Sequence, residues 1–362
     1  MSRILVFIAC AGGGAVDTLA LDRASGQIEP VSRAEGLGRV SALALDPAGT
    51  LYAGANGTPP RTVALALDAA TGSATATAES EAPASTCYLA LAPGGRELLS
   101  ASYHEGLMAR FPVPGATSER AAGGAAGAAR PRATEYRSGP NTHCAVPSPD
   151  GRHVYTASLG DDRVSWFPLD EPHDGVVRPA GQLAAMPGSG PRHLRVNAAG
   201  DRVYVLHELS GDVDVLVRDP ETGGLSLLQR TSAVEGLGLA PGIVRSPSTP
   251  DPGLGVVWCA DLRLTPDGRV LVATERSTST LASFTVDADG RLAFAGHTET
   301  EAQPRGSAID PSGQFLLVCG ERSDHVTAYR IDPDTGGLEP ISRAATAGGP
   351  LWIECWDAPD AG

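Results

Sequence analysis

The sequence predicts an all-β fold, a seven-bladed β-propeller formed by a single domain over residues 1–362. Each blade is expected to hold four antiparallel strands, with strands from both ends of the chain closing the last blade. Three observations lead there. Gly (44) and Pro (29) make up about a fifth of the 362 residues, well above ordinary usage, which favours many turns over long helices. An apolar strand, a Pro-x-Gly turn and a second strand recur along the chain. The recurrence has a period of about 40 to 50 residues, the length of one four-stranded blade.

Taken in order, Ile4–Cys10, Val16–Leu21 and Ile28–Arg33 are apolar or alternating runs between turn residues, and read as three strands of the closing blade. Tight turns follow at Asp46-Pro47-Ala48-Gly49, Ala92-Pro93-Gly94-Gly95, Ser148-Pro149-Asp150-Gly151, Thr265-Pro266-Asp267-Gly268 and Asp310-Pro311-Ser312-Gly313, with a proline-less copy at Asn197-Ala198-Ala199-Gly200. Second strands are read at Leu51–Ala55, Val154–Ala157, Val203–Leu206, Val270–Ala273 and Phe315–Val318. Third strands are read at Arg163–Leu169, Val213–Val217, Thr280–Val286 and His325–Ile331. An Asp-x-x-x-Gly-x-Leu turn at Asp219–Leu225 and again at Asp332–Leu338 leads into a fourth strand. Six turns make six blades. Pro350–Trp356 is expected as the innermost strand of the seventh, where pairing of the two ends removes the open sheet edges. Two stretches break the pattern: an Ala/Gly/Arg-rich segment at 115–132, expected to be a mobile loop of blade two, and a Pro- and Gly-rich insert at 236–255, placed near the ring mouth where a lid would sit.

All 28 basic residues are Arg, against 42 acidic ones, for a net charge of −14. Such a surface repels polyanions and argues against a nucleic-acid partner. Arginines converging on one point of this chain would mark a site for a small anionic substrate, carboxylate or phosphate. No apolar run approaches the roughly 18 residues needed to span a bilayer, so no membrane partner is expected. Phe7-Ile8-Ala9-Cys10 loosely resembles a lipoprotein cleavage site, but only three residues precede the short apolar run. Ile4–Ala9 is therefore read as a buried strand, and the location as cytoplasmic. The six Cys lie far apart without C-x-x-C spacing; neither a disulfide framework nor a metal site is expected, and nothing implies a cofactor.

Because a tight turn reverses the chain, residues equidistant before and after each turn Gly are neighbours. Eight positions before it stand Ser41, Cys87, His143, Arg192, Ala260 and Arg305; eight after it stand Gly57, Tyr103, Leu159, Glu208, Arg276 and Glu321. His143, Arg192, Glu208 and Arg276 thus come from three adjacent blades, with Tyr103, Arg305 and Glu321 completing a rim. Two guanidiniums hold an anion and stabilise an oxyanion, and His143 or Glu208 is placed to take a proton. The plainer reading is that Arg192 with Glu208, and Arg305 with Glu321, are cross-strand ion pairs. Arg276 has no acidic residue at the matching register, where Ala260 stands, and is expected to be reserved for ligand rather than stability. Strict alternation turns His193 away from Arg192 as a packing residue, and turns Cys144 away from His143 as a buried inert thiol.

Gly139-Pro140-Asn141-Thr142-His143, Gly188-Ser189-Gly190-Pro191-Arg192-His193, His207-Glu208-Leu209, Thr274-Glu275-Arg276 and Gln303-Pro304-Arg305-Gly306 resemble the seven-bladed propeller lactonases. That family includes the cycloisomerase-type 6-phosphogluconolactonases and the fungal 3-carboxy-cis,cis-muconate lactonizing enzymes. The resemblance covers nearly the whole chain, most closely from Pro191 to Gly348-Gly349-Pro350-Leu351-Trp352. It implies opening or closing of an ester ring in an acidic substrate without an obligatory metal. In its muconate-cyclising members the site is a His, a Glu and two Arg, which match His143, Glu208, Arg192 and Arg276. Tyr103, Arg305, His207, Arg263 and Glu321 make up the expected substrate-binding set. Phosphogluconolactonase-like members usually carry Asn where His207 stands, Asp or Asn where Glu275 stands and His where Arg263 stands. A lactone hydrolase is the first reading, a lactonizing cycloisomerase the nearest rival. A non-catalytic propeller that binds a protein is disfavoured by the 5% aromatic content.

Overall fold

The computed structural model describes residues 3–116, 133–169, 176–245 and 255–358. Every strand and helix assigned among them is a β-strand, so no helix there is long and apolar enough to cross a membrane. The strands form seven sheets, in the blade order that the turns predict. The innermost strands are Arg39–Asp46, Tyr88–Leu91, Val146–Pro147, Pro191–Val196, Cys259–Leu264, Pro304–Ile309 and Pro350–Trp356, for blades one to seven.

Blade seven runs outward through Pro350–Trp356, Arg3–Cys10, Ala15–Asp22 and Ile28–Ala34. The two ends of the chain meet with Val6 opposite Cys355 and Ile8 opposite Ile353. Arg3–Cys10 is buried on both faces after its first residue, because neighbouring blades cover it from either side. This is why it reads as an unbroken apolar run rather than as alternation. The outermost strand of blade one, Ala74–Glu81, is largely solvated, and its Ala, Thr, Ser and Glu residues reflect that. Blade two departs from the four-strand plan: Val176–Val177, which follows the third strand of blade three, pairs in parallel with Thr134–Tyr136 and adds a fifth strand. The expected loop at 115–132 lies outside the described residues from 117 onward, as does the insert over 246–254.

The inner strands share a device that their composition does not announce. In blade four, Pro191 pairs with His207 and His193 with Leu206, so Arg192 is an extra residue bulged out of the ladder. Arg305 is bulged in the same way in blade six, Ser41 in blade one, and Ala260 with Asp261 in blade five. A bulge re-aims its side chain and breaks alternation. These bulges fall at the register eight residues before the turn Gly, at the end of the ring remote from the Pro-x-Gly turns.

Candidate active site

Four of the expected residues converge at that end, and all are at most 5% exposed: His143, Arg192, Glu208 and Arg276. The Glu208 carboxylate is their centre. Arg192 Nε stands 2.7 Å and Arg276 Nη2 3.2 Å from Glu208 Oε2, and Trp258 Nε1 donates to Oε1 at 3.2 Å. Arg276 also donates to the carbonyls of Trp258 and Cys259, both at 3.1 Å, and lies over the Trp258 ring at 3.8 Å. Arg276 is thus paired across blades; the register argument, confined to one blade, leaves it alone. The Nε–H of Arg192 is close to Glu208 but out of line, and makes no hydrogen bond.

His143 brings the one imidazole at this mouth register. Its ring meets the edges of Tyr103 at 5.7 Å and His193 at 5.2 Å, and its buried Nδ1 has no hydrogen-bond partner. Burial, reinforced by Arg192, His193 and Arg305, holds its pKa well below the ordinary histidine range, so the ring is neutral at neutral pH. Burial, with help from Glu208, pushes the Tyr103 phenol up to about 12, which keeps it a donor. Its hydroxyl donates to the carbonyl of Arg245 at 3.3 Å. Cys144 is fully buried and its thiol is pushed up to about 12 by that burial.

The remaining expected residues are distributed differently. Arg305 and Glu321 are on the rim but stand 3.9 Å apart, with side chains 23% and 31% exposed. His207 faces into blade four, with Nδ1 3.0 Å from Ser189 Oγ and Nε2 3.2 Å from Asp214. Arg263 binds Asp261 at 3.0 Å and lies beside Trp352. Glu275, another departure from the family pattern, accepts from the Trp258 backbone at 2.8 Å and from Thr278. The three departures therefore sit among supporting groups rather than in the central cluster.

Sequence reasoning misses four residues of this region. His193 is turned toward Arg192 by the bulge, and Nη1 of Arg192 stands 3.1 Å from its Nε2. Asp261, in the bulge of the next blade, holds Nδ1 of His193 at 2.9 Å. Trp258 precedes its strand and carries no periodic signal. Arg245, from the described part of the insert, lies over the Trp258 ring at 4.5 Å. Among the described residues no group of three or more His, Cys, Asp or Glu side chains is arranged to hold a metal ion. A hollow of about 430 Å³ lined by Asp201, Arg202, Asp267 and Asp287 lies at the opposite end, beside the turns, and contains none of the cluster.

Comparison with known proteins identifies the family and the fold. The family model described as a lactonase, 7-bladed beta-propeller, matches residues 6–355. The 6-phosphogluconolactonase of Pectobacterium carotovorum is 31% identical over 272 residues, covering 75% of this chain and 74% of the relative. That of Klebsiella pneumoniae is 30% identical over 298 residues, covering 81% of each. The solved structure of a Pseudomonas aeruginosa periplasmic gluconolactonase superposes with a TM-score of 0.77 over 99% of this chain and all of that one; at 24% identity it shows the shared fold.

Proposed function

The chain belongs to the seven-bladed β-propeller lactonase family, and from that premise we propose that it hydrolyses an acidic, sugar-derived lactone of the 6-phosphogluconolactone kind at the His143–Arg192–Glu208–Arg276 cluster. One observation carries the proposal: two buried guanidiniums share a single carboxylate, next to a neutral imidazole. The cluster keeps one positive charge in excess in surroundings nearly sealed from water, and such a charge calls for an anion.

The roles follow from the geometry. Glu208 is in ion-pair contact with two guanidiniums and accepts a hydrogen bond from the Trp258 indole N–H, and its work is to fix the two arginines. His143 has an unpartnered nitrogen and is the base. As water adds to the lactone carbonyl, its oxygen bonds to carbon, the C=O pair moves onto oxygen, and His143 accepts the proton. Arg192 and Arg276 stabilise the resulting oxyanion and hold the acidic group. The tetrahedral centre then collapses with cleavage of the bond to the ring oxygen, which takes the proton from the His143 imidazolium. The acid product releases its own proton to solvent.

The test is ring opening of 6-phosphoglucono-1,5-lactone and glucono-1,5-lactone, followed by proton release, beside ring closure of a substituted muconate. Saturable hydrolysis abolished by His143→Ala is the expected result. Ring closure without hydrolysis would replace the proposal with a cycloisomerase, and no turnover of any of the three would replace it with a binding module.

A further inference from the structure

We propose that Asp261 and His193 are positioning residues that hold the Arg192 guanidinium in the orientation its ligand requires. The inference rests on the reading of Arg192 as an anion-binding group, and adds two residues to the four of the central cluster.

Hydrogen-bond polarity decides the arrangement. A guanidinium only donates, so His193 Nε2, 3.1 Å from Arg192 Nη1, must be the acceptor and carry no proton. The ring proton then sits on Nδ1 and is donated to Asp261 Oδ1 at 2.9 Å. Both ring nitrogens are used and the tautomer is determined. Protonation of His193 would remove the acceptor and set two cations against each other. Burial and Arg192 together draw the pKa of this histidine down to about 3, against the opposing pull of Asp261.

Asp261 is a firm anchor. It accepts from the backbone N–H and hydroxyl of Ser307 in blade six, at 3.0 and 2.9 Å, from its neighbour Leu262 N–H at 2.9 Å, and from Arg263 Nε at 3.0 Å. Arg195 stands 3.5 Å away. Burial works against its charge, yet Arg263, His193 and Arg195 hold its pKa well below the usual carboxylate range. One carboxylate thus ties blades four, five and six, and the imidazole passes that position on to Arg192. Nη1 of Arg192 is fully occupied by His193 and by the carbonyl of Ala260. Nε then faces Glu208 Oε2 at 2.7 Å, in ion-pair contact but without a well-aligned hydrogen bond. The bulge makes the chain of contacts possible, because strict alternation would put Arg192 and His193 on opposite faces.

Two replacements of His193 separate this role from packing. Asn reproduces the Nδ1 donor to Asp261 and loses the acceptor for Arg192; Gln places its oxygen near Nε2 and retains that acceptor. With 6-phosphoglucono-1,5-lactone, His193→Asn is expected to lower kcat/KM about tenfold, the size of losing an orienting partner, and His193→Gln to recover most of it. In an Arg192→Ala background, which leaves Glu208 paired one to one with Arg276, His193→Asn should cost nothing further. Long-range proton–nitrogen NMR of the unmodified protein should show His193 as the neutral Nδ1–H tautomer from pH 8 to pH 5. An Nε2–H tautomer, or His193→Asn at full activity while Arg192→Ala is impaired, overturns the positioning role. An Arg192→Ala enzyme with unchanged kinetics instead overturns the function assigned to the cluster.

Discussion

Blades four and six carry the same pair at the same register, Arg192 with Glu208 and Arg305 with Glu321, each Arg bulged from its inner strand. Their surroundings separate them. In blade four the ions stand 2.7 Å apart, their side chains 2% and 6% exposed, and blade five adds Arg276 and Trp258 to the same carboxylate. In blade six the pair is 3.9 Å apart and partly solvated, where an ion pair gains little over hydration. Register brings a side chain to the mouth, and the neighbouring blade decides what it does there.

The contrast can be broken most sharply at its centre. Glu208→Gln removes the one carboxylate between two buried guanidiniums and should destabilise the fold by about 3–5 kcal/mol, the cost of stranding a buried charge, whereas Glu321→Gln should leave the urea midpoint near its starting value. Arg276→Ala should lower kcat/KM by about 10² through loss of an anion contact. It should also lower Tm, since the guanidinium is stacked on Trp258 and bonded to two backbone carbonyls. The register argument, with Arg276 unpaired, implies an unchanged Tm, and calorimetry of this variant discriminates.

Acid sharpens the same contrast. His143 and His193 titrate below their ordinary value in the fold, while the unfolded imidazoles titrate near 6.5 (about that value in model peptides). Below that pH the unfolded chain binds protons that the fold refuses, so stability falls as pH drops, by about 1.4 kcal/mol per pH unit for each such histidine. Urea midpoints between pH 7 and pH 5 should show this slope, and His143→Gln should reduce it; variants of blade six should not. The smallest effect belongs to Arg305→Ala, expected within about 1 kcal/mol of the parent in stability, with a smaller loss of kcat/KM than Arg276→Ala.

The ring was legible because turn chemistry is local: Pro-x-Gly needs no tertiary context to reverse a chain, and the runs on either side announce their burial. Thr280–Val286, His325–Ile331 and Pro350–Trp356 end in the structure where their turn residues place them. The convergence of His143, Arg192, Glu208 and Arg276 followed from counting outward from those turns. What escaped depends on neighbours. The extra residue at Arg192 has no compositional mark, so alternation turned His193 to the wrong face. Asp261 owes its importance to donors from two other blades, Ser307 and His193, and Trp258 and Arg245 lie in irregular segments whose approach to the mouth no periodicity records.

The pairing of Pro350–Trp356 with Arg3–Cys10 also sets an order of events during synthesis. The inner strand of blade seven, which touches the inner strands of blades one and six, is made only after everything between residues 10 and 350 has been translated. Until then Arg3–Cys10 has no inner partner, and an apolar strand more than 300 positions away in sequence must wait with one edge bare. A nascent chain of this protein is therefore exposed to sticking at Arg3–Cys10, and the time at risk is the time needed to translate everything between the two strands.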